Sequence, residues 1–463
     1  MEEQKMKRPF AMMLALCMCL SLIVSGCGGE KSGADNQDAS SAITKVLVDK
    51  EEVSISFWTG TGAANFPYLE AIVNAFQEEY PNIHVDFQNQ GPVTDLMDKL
   101  TQNIVSKSTP TLSNINPTYF KEYIDSGAII DLAPYYEDAQ VGFTAGERAA
   151  FLPNFIAEAQ SFGGEGTMYG FPTNKKTTEV LFYNKTYFDS KGWSAPATWE
   201  EVAAYSRQIR EDTGVPGFSY DVAYGEGAFH LLSMQWGSPY IDAEGAVSID
   251  NDASREALRF YKENYDAGYF TMPSDLPSSN GGNYSSSGFA NKECYMYVGS
   301  AAGAQYTIPD PEKGQELFEV GIAPLPQKDA SHRVVFTRGE DYCIFSNASE
   351  EERVAAWLLI KFLSRDDQNA EWLIATGNLP ITSTMEDNAE YKAFLDMPND
   401  GSKAYYTALE INAAMDMTDY MTYEPMTDVT ASLATAAGSM WKAVIIGGQD
   451  IDSAIADAVA QVK

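Results

Sequence analysis

The chain has 463 residues, 44% of them hydrophobic, which is enough for two or three domains with ample cores. Its 65 Asp and Glu residues against 31 Lys and Arg give a formal net charge of -34. A field of that sign repels phosphate backbones and anionic lipid, which excludes nucleic acid and an electrostatically held membrane surface as primary partners.

Lys5, Lys7 and Arg8 precede an apolar run from Ala11 to Val24, closed by Ser25-Gly26-Cys27. The run is short for a transmembrane helix and has the anatomy of a signal peptide over residues 1–26. Val24-Ser25-Gly26-Cys27 resembles a bacterial lipoprotein box. That resemblance implies cleavage before Cys27, lipidation of its thiol, and an extracytoplasmic chain anchored to the cell membrane. Acyl chains contribute about 0.8 kcal/mol per buried methylene, so several of them hold stably. An ordinary secretory signal with a chance cysteine is the competing reading. Cys17 and Cys19 leave with the signal. Cys294 and Cys343 lie in apolar, strand-like runs and read as two buried thiols, with one disulfide as the alternative.

Residues 27–51 are rich in Gly, Ser, Asp and Lys and read as a flexible tether. Order begins at Val53-Ser-Ile-Ser-Phe57, whose alternation predicts a strand. Leu69, Ile72, Val73, Phe76 and Tyr80 then share one helical face, Pro81 stops the helix, and Ile83, Val85 and Phe87 alternate as a second strand. A strand-helix-strand unit implies parallel pairing and an α/β fold. Thr198-Trp-Glu-Glu201 and Ser349-Glu-Glu-Glu352 fit the capping box, and Ser364-Arg-Asp-Asp367 is a weaker variant. The helix after Ser364 is expected to end near Gly377, with Pro380 beyond it. Residues 272–288 form a Pro/Ser/Gly-rich loop, and no internal repeat is present.

Reaction chemistry is not legible. There is no Gly-x-Ser-x-Gly elbow and no His-Glu-x-x-His, and His84, His230 and His332 lie far apart. Gly60-Thr-Gly62 follows a strand, yet the third position of a dinucleotide fingerprint is Asn65. Acidic residues are too numerous for a catalytic pair to be picked out. The expectation is a protein without enzymatic activity, metal or cofactor.

Phe57-Trp58 through Pro81-Asn-Ile-His-Val85, Gly127-Ala-Ile-Ile-Asp-Leu132, and Gly170-Phe-Pro172 with Leu181-Phe-Tyr-Asn-Lys185 occur in order. Pro196-Ala-Thr-Trp199, Asn291-Lys-Glu-Cys-Tyr-Met296, Ala323-Pro-Leu-Pro326 and Thr376-Gly-Asn-Leu-Pro-Ile-Thr382 follow. Together they resemble the family 1 extracellular solute-binding proteins, the receptors of ABC importers. The resemblance covers essentially everything from Val53 onward. It implies a two-lobed α/β fold of the periplasmic-binding-protein type (type II), with hinge crossings and ligand held in the cleft. The crossings are expected near Phe171–Thr177, near Phe336–Tyr342 and just after Leu379-Pro380. Lobe one would be 52–170 plus 341–380, and lobe two 171–340 plus 381–463. The implied partners are a saccharide ligand and the permease subunits of an importer, and the expected state is a monomer.

Ala370-Glu-Trp372 and the segment after it look most like the glycerol-3-phosphate branch of that family. Asn378 replaces the branch's tyrosine, and no arginine follows Arg365 to hold phosphate. A neutral mono- or oligosaccharide is therefore the expected ligand. Glycerol 3-phosphate or another anionic ligand, and a sensory binding protein on the same fold, are the alternatives.

Sugars present C–H faces and hydroxyl edges, so aromatic and polar groups near the crossings are the candidate contacts. Trp58 ends the first strand, where open α/β sheets place ligands. Asn116 and Tyr119 lie in a loop, and Trp236, Tyr240, Gly299 and Ser300 match positions that face the cleft in the family. Lys175, Lys176 and Thr177 occupy the first crossing, Gly339, Glu340 and Asp341 the second, and Asn378 the third. A core or solvated role competes at each of these positions. One of the two adjacent lysines is expected to enter the cleft or pair with Glu340 or Asp341, and the other to face water. Trp372 and Trp441 read as core.

Overall fold

The computed structural model describes residues 40–222 and 227–462, so Cys27, the signal segment 1–26 and tether positions up to 39 lie outside the described residues. The tether expectation ends earlier than 51. Residues 40–48 are helical, and Ala42, Ile43 and Val46 are buried on one face against helix Glu350–Leu363. Lys45 pairs with Glu351 of that helix at 2.5 Å. Three apolar side chains on one short helical face outweigh a polar composition.

Two mixed sheets carry the fold. In the first, Val53–Thr59 is flanked by Ile83–Asn89 and Leu112–Ile115, both parallel to it. Asp341–Ile344 returns antiparallel beside Leu112–Ile115, and Phe171–Pro172 closes the edge. Val53, Ile55, Phe57 and Thr59 are buried in strict alternation. Helix Phe66–Glu79 buries Leu69, Ile72, Val73 and Phe76, the face expected from spacing. Burying side chains of this size stabilises by about 1.5–3 kcal/mol each.

The second sheet runs in the order 320–324, 179–184, 296–300, 218–220, 270–271. Glu179–Asn184 sits between two antiparallel neighbours, Val320–Pro324 and Met296–Ser300. The capping boxes at Thr198 and Ser349 are both formed, and a third stands at Thr144. Ser364 caps nothing at a helix start. Its hydroxyl donates to the Lys361 carbonyl, and helix Asp366–Thr376 begins after Arg365 without a side-chain cap. That helix ends at Gly377, whose φ of +74° suits glycine.

The lobes meet where the chain crosses between the sheets. The Phe171–Pro172 strand belongs to the first sheet, opposite Tyr342 and Asp341, so the first crossing spans 173–178 rather than starting at 171. The Thr177 and Arg338 backbones exchange hydrogen bonds at 2.8 and 2.9 Å, and the Leu379 N–H donates to the Lys176 carbonyl at 2.8 Å. Three segments distant in sequence thus lie side by side. Past Pro380 the Ile381 carbonyl still accepts from Leu152 N–H at 2.9 Å, so the chain stays against the first lobe before it crosses. Helix Lys403–Met415 then packs on strand Val320–Pro324 of the second sheet.

Among the described residues no helix is long and apolar enough to cross a membrane. Cys294 and Cys343 are both buried and free.

Candidate functional site

A cleft of about 860 Å³ lies between the lobes, with the crossings as its floor. Thr61 and Asn65 enter from the loop after strand Val53–Thr59, and Asn116, Pro117 and Thr118 from the loop after Leu112–Ile115. Both loops leave the carboxyl ends of parallel strands, where such sheets open toward ligand. Tyr284, Glu424, Met426 and the start of helix Thr430–Ile445 form the opposite wall. Lys175, Thr177, Arg338, Gly339, Glu340 and Asn378 line the floor, with Trp372 beside them.

The adjacent lysines of the first crossing both find carboxylates. Lys176 is wholly buried and its ammonium lies 2.7 Å from Glu158 and 3.0 Å from Asp341. Burial alone would lower its pKa, but Asp341 and Glu158 outweigh that and hold the ammonium above its ordinary range. Burial pushes the Asp341 carboxyl up to about 7, against the pull of Lys176 and with added repulsion from Glu158. Two carboxylates around one ammonium leave an excess negative charge, which a proton on Asp341 relieves. Lys175 points toward Glu340 at 3.7 Å, with 15% and 13% of the two side chains exposed. The expectation that one lysine faces water is corrected: each is drawn to a carboxylate of the second crossing.

Where the floor meets the opposite wall, Arg338 lies 3.3 Å from Glu424, whose other oxygen meets the buried His230 Nδ1 at 3.0 Å. Burial lowers the His230 pKa, and Glu424 opposes that shift. Gly339 has φ +140°, and a Cβ there would stand 2.5 Å from the Lys175 carbonyl oxygen. Only glycine lets the two crossings approach so closely.

Of the residues expected from sequence, the structure brings Asn116, Lys175, Thr177, Gly339, Glu340 and Asn378 to the cavity wall. Lys176 and Asp341 lie just beneath it. Ser300 stands one step behind, its hydroxyl 3.3 Å from that of Thr177. Trp58 and Tyr119 instead pack against a small core cluster with Leu96, Met97 and Phe120. Tyr240 is buried with its ring 3.5 Å from that of His230. Trp236 packs on Phe260 with Lys328 over its ring. A Cβ at Gly299 would meet Asp221 and the Tyr297 ring. None of these five is on the cavity wall.

Glu158, Glu424, Tyr284 and Trp372 line the cleft without having been expected there from sequence. Glu158 carried a signal, because it shares the buried face of helix Pro153–Ser161 with Phe155 and Ala159. A carboxylate on an apolar helical face calls for a buried cation. Trp372 looked like core because it is both, 3% exposed yet on the cleft. Its indole N–H donates to the Asn174 carbonyl at 2.7 Å, tying the ring to the first crossing. Glu424 and Tyr284 had no local signature.

An arabinooligosaccharide-binding protein of Bacillus subtilis (strain 168) is 22% identical over 386 residues, covering 77% of this chain and 80% of its own. The cyclic α-maltosyl-1,6-maltose binding protein from Arthrobacter globiformis superposes with TM-score 0.72 at 19% identity, covering 89% and 98% of the two chains. UgpB from Mycobacterium tuberculosis, solved with glycerophosphocholine, does so with TM-score 0.69 at 18% identity, covering 88% and 96%. These likenesses show a shared two-lobed fold. The sequence profile of the bacterial extracellular solute-binding proteins matches residues 71–399, and the chain belongs to that family.

Proposed function

We propose that the protein binds a neutral carbohydrate, a mono- or oligosaccharide, in the interlobe cleft and delivers it to the permease subunits of an ABC importer. A lipid on Cys27 would hold it at the outer face of the cell membrane as a monomer. The charge arrangement of the cleft carries the reading. Among the described residues its two lining cations, Lys175 and Arg338, each have a carboxylate partner, Glu340 and Glu424, and Glu158 adds a third carboxylate. A phosphate entering this cleft would meet cations already matched and a surplus of negative charge. Hydroxyls and amides from Thr61, Asn65, Thr94, Asn116, Thr118 and Asn378, beside the Trp372 ring, suit sugar hydroxyls and C–H faces. The arabinooligosaccharide- and cyclic-maltosyl-maltose-binding relatives support the same ligand class.

The crossings supply the hinge. Ligand touching both walls would favour the closed form, and shifting 1:99 to 99:1 needs about 5.5 kcal/mol of preference for it. The glycerophosphocholine-bound relative supports the competing ligand class, a phosphodiester or glycerol phosphate. A thermal-shift screen decides between them, because ligand at 100-fold its dissociation constant stabilises by about 2.7 kcal/mol. Neutral saccharides should raise Tm while glycerol 3-phosphate and glycerophosphocholine leave it unchanged. Stabilisation by the phosphates alone would overturn the carbohydrate reading.

A further inference from the structure

The cleft has an inner recess. Strand Leu112–Ile115 is buried along its whole length, and on it Asn114 is 1% exposed. Neither Oδ1 nor Nδ2 of Asn114 has a hydrogen-bond partner among the described residues. A cavity of about 10 Å³ lies against this side chain, walled by Thr59, Thr173, Lys175, Tyr342 and Trp372 among others. Lys175 and Trp372 also line the main cleft, so the recess sits directly behind them.

Thr173, Asn174 and Thr59, which also wall the recess, already have hydrogen-bond partners. Thr173 Oγ1 donates to the Glu340 carbonyl at 2.8 Å and accepts from Lys175 N–H at 3.2 Å. The Asn174 amide donates to the Leu363 carbonyl at 2.6 Å and to Asn369 Oδ1 at 2.5 Å. The Thr59 hydroxyl lies 2.8 Å from that of Thr61, which lines the cleft. Buried amides are almost always satisfied, and a space of roughly 10–15 Å³ accommodates one water-sized group when polar partners surround it.

We propose that this recess is a single-oxygen subsite of the cleft, in which Asn114 holds one neutral hydroxyl-type oxygen. An amide offers an acceptor and donor hydrogens side by side. A hydroxyl or water matches both, an ionised phosphate or carboxylate oxygen leaves Oδ1 unmatched, and an ammonium leaves Nδ2 unmatched. The oxygen comes either from a ligand hydroxyl reaching past Trp372 or from solvent. The first source rests on the carbohydrate reading above; the oxygen site itself does not.

Crystals of the full chain, grown without sugar and then soaked with maltotriose or arabinotriose, test this. One oxygen peak within hydrogen-bonding distance of both Asn114 amide atoms is the expected result. Its replacement by a sugar hydroxyl assigns the ligand as source, and an unchanged peak beside bound sugar assigns water. A recess without density, or an Asn114 amide turned directly onto Thr59 or Tyr342, would overturn the proposal. In Asn114→Leu the peak should vanish. A sugar that stabilises the wild type should bind about tenfold weaker if its hydroxyl fills the site, and with unchanged affinity if water does. If that variant does not fold, Asn114→Ser enlarges the recess and should show an additional water. If no sugar binds at all, the carbohydrate reading fails while the sugar-free crystal still decides the oxygen site.

Discussion

Lys176 and Asp341 meet at 3.0 Å with neither side chain exposed to solvent, although 165 residues separate them. The contact joins the first crossing to the second, and Glu158 at 2.7 Å brings in a helix of the first lobe. Removing the ammonium strands two carboxylates in a dry site, which costs about 3–5 kcal/mol when one partner of a buried pair is lost. Lys176→Met should therefore lower the free energy of unfolding by that amount in urea titrations. Adding Glu158→Gln to it should recover part of the loss. A change below about 1 kcal/mol for Lys176→Met would mean the ion cluster does not hold the hinge.

The same cluster should tie stability to pH. The Asp341 carboxyl titrates near 7 in the folded protein, against about 4 for an unfolded chain. The folded state binds that proton more tightly, so this contribution to stability is fully present below about pH 4 and lost as pH rises through 7. Asp341→Asn cannot titrate. Measured from pH 4 to 7, wild-type stability should fall relative to Asp341→Asn, and parallel curves for the two would contradict the assignment.

Gly339 allows the close contact of the first two crossings. Gly339→Ala sets a methyl against the Lys175 carbonyl at a φ that L side chains rarely adopt. The expected outcome is a loss of more than about 1 kcal/mol and a Tm to match. Small-angle scattering should also show the crossings less able to hold one closed arrangement with saturating sugar. An unaltered Tm would show that the backbone relaxes there without cost.

Burial pushes the thiols of Cys294 and Cys343 well above the ordinary range. Thiolate is the reactive form, so both should resist alkylation in the native protein and react on denaturation. Peptide mapping of iodoacetamide adducts reads this out. Native modification at Cys343 would place its strand nearer to solvent than the sheet pairing allows.

Much of this molecule is local enough to read from its sequence. The helix through Leu69, Ile72, Val73 and Phe76 and the caps at Thr198 and Ser349 depend on neighbours within a few residues, and all are formed as expected. The Ser364 cap failed because its hydroxyl bonds backward to Lys361 instead. The tether was set too long because composition weighed more than the face formed by Ala42, Ile43 and Val46.

The cleft was legible where it follows the crossings and obscure where it follows packing. Lys175, Thr177, Gly339, Glu340 and Asn378 lie on segments whose order along the chain marks the hinge, and they line the cavity. Trp58, Tyr119, Trp236 and Tyr240 lie at a strand end, in a loop and at family positions expected at the cleft, yet a ring buries against apolar neighbours as readily as it faces a ligand.

The sequence by itself determined the apolar faces, the helix starts and the order of family motifs, since each rests on spacing along one segment. Only the tertiary structure decided that the two adjacent lysines pair with separate carboxylates, that Glu158 joins one pair, and that Trp372 looks into the cleft. The physical reason is that periodicity sets which face of an element is buried, whereas the partner it meets depends on where distant segments are brought together.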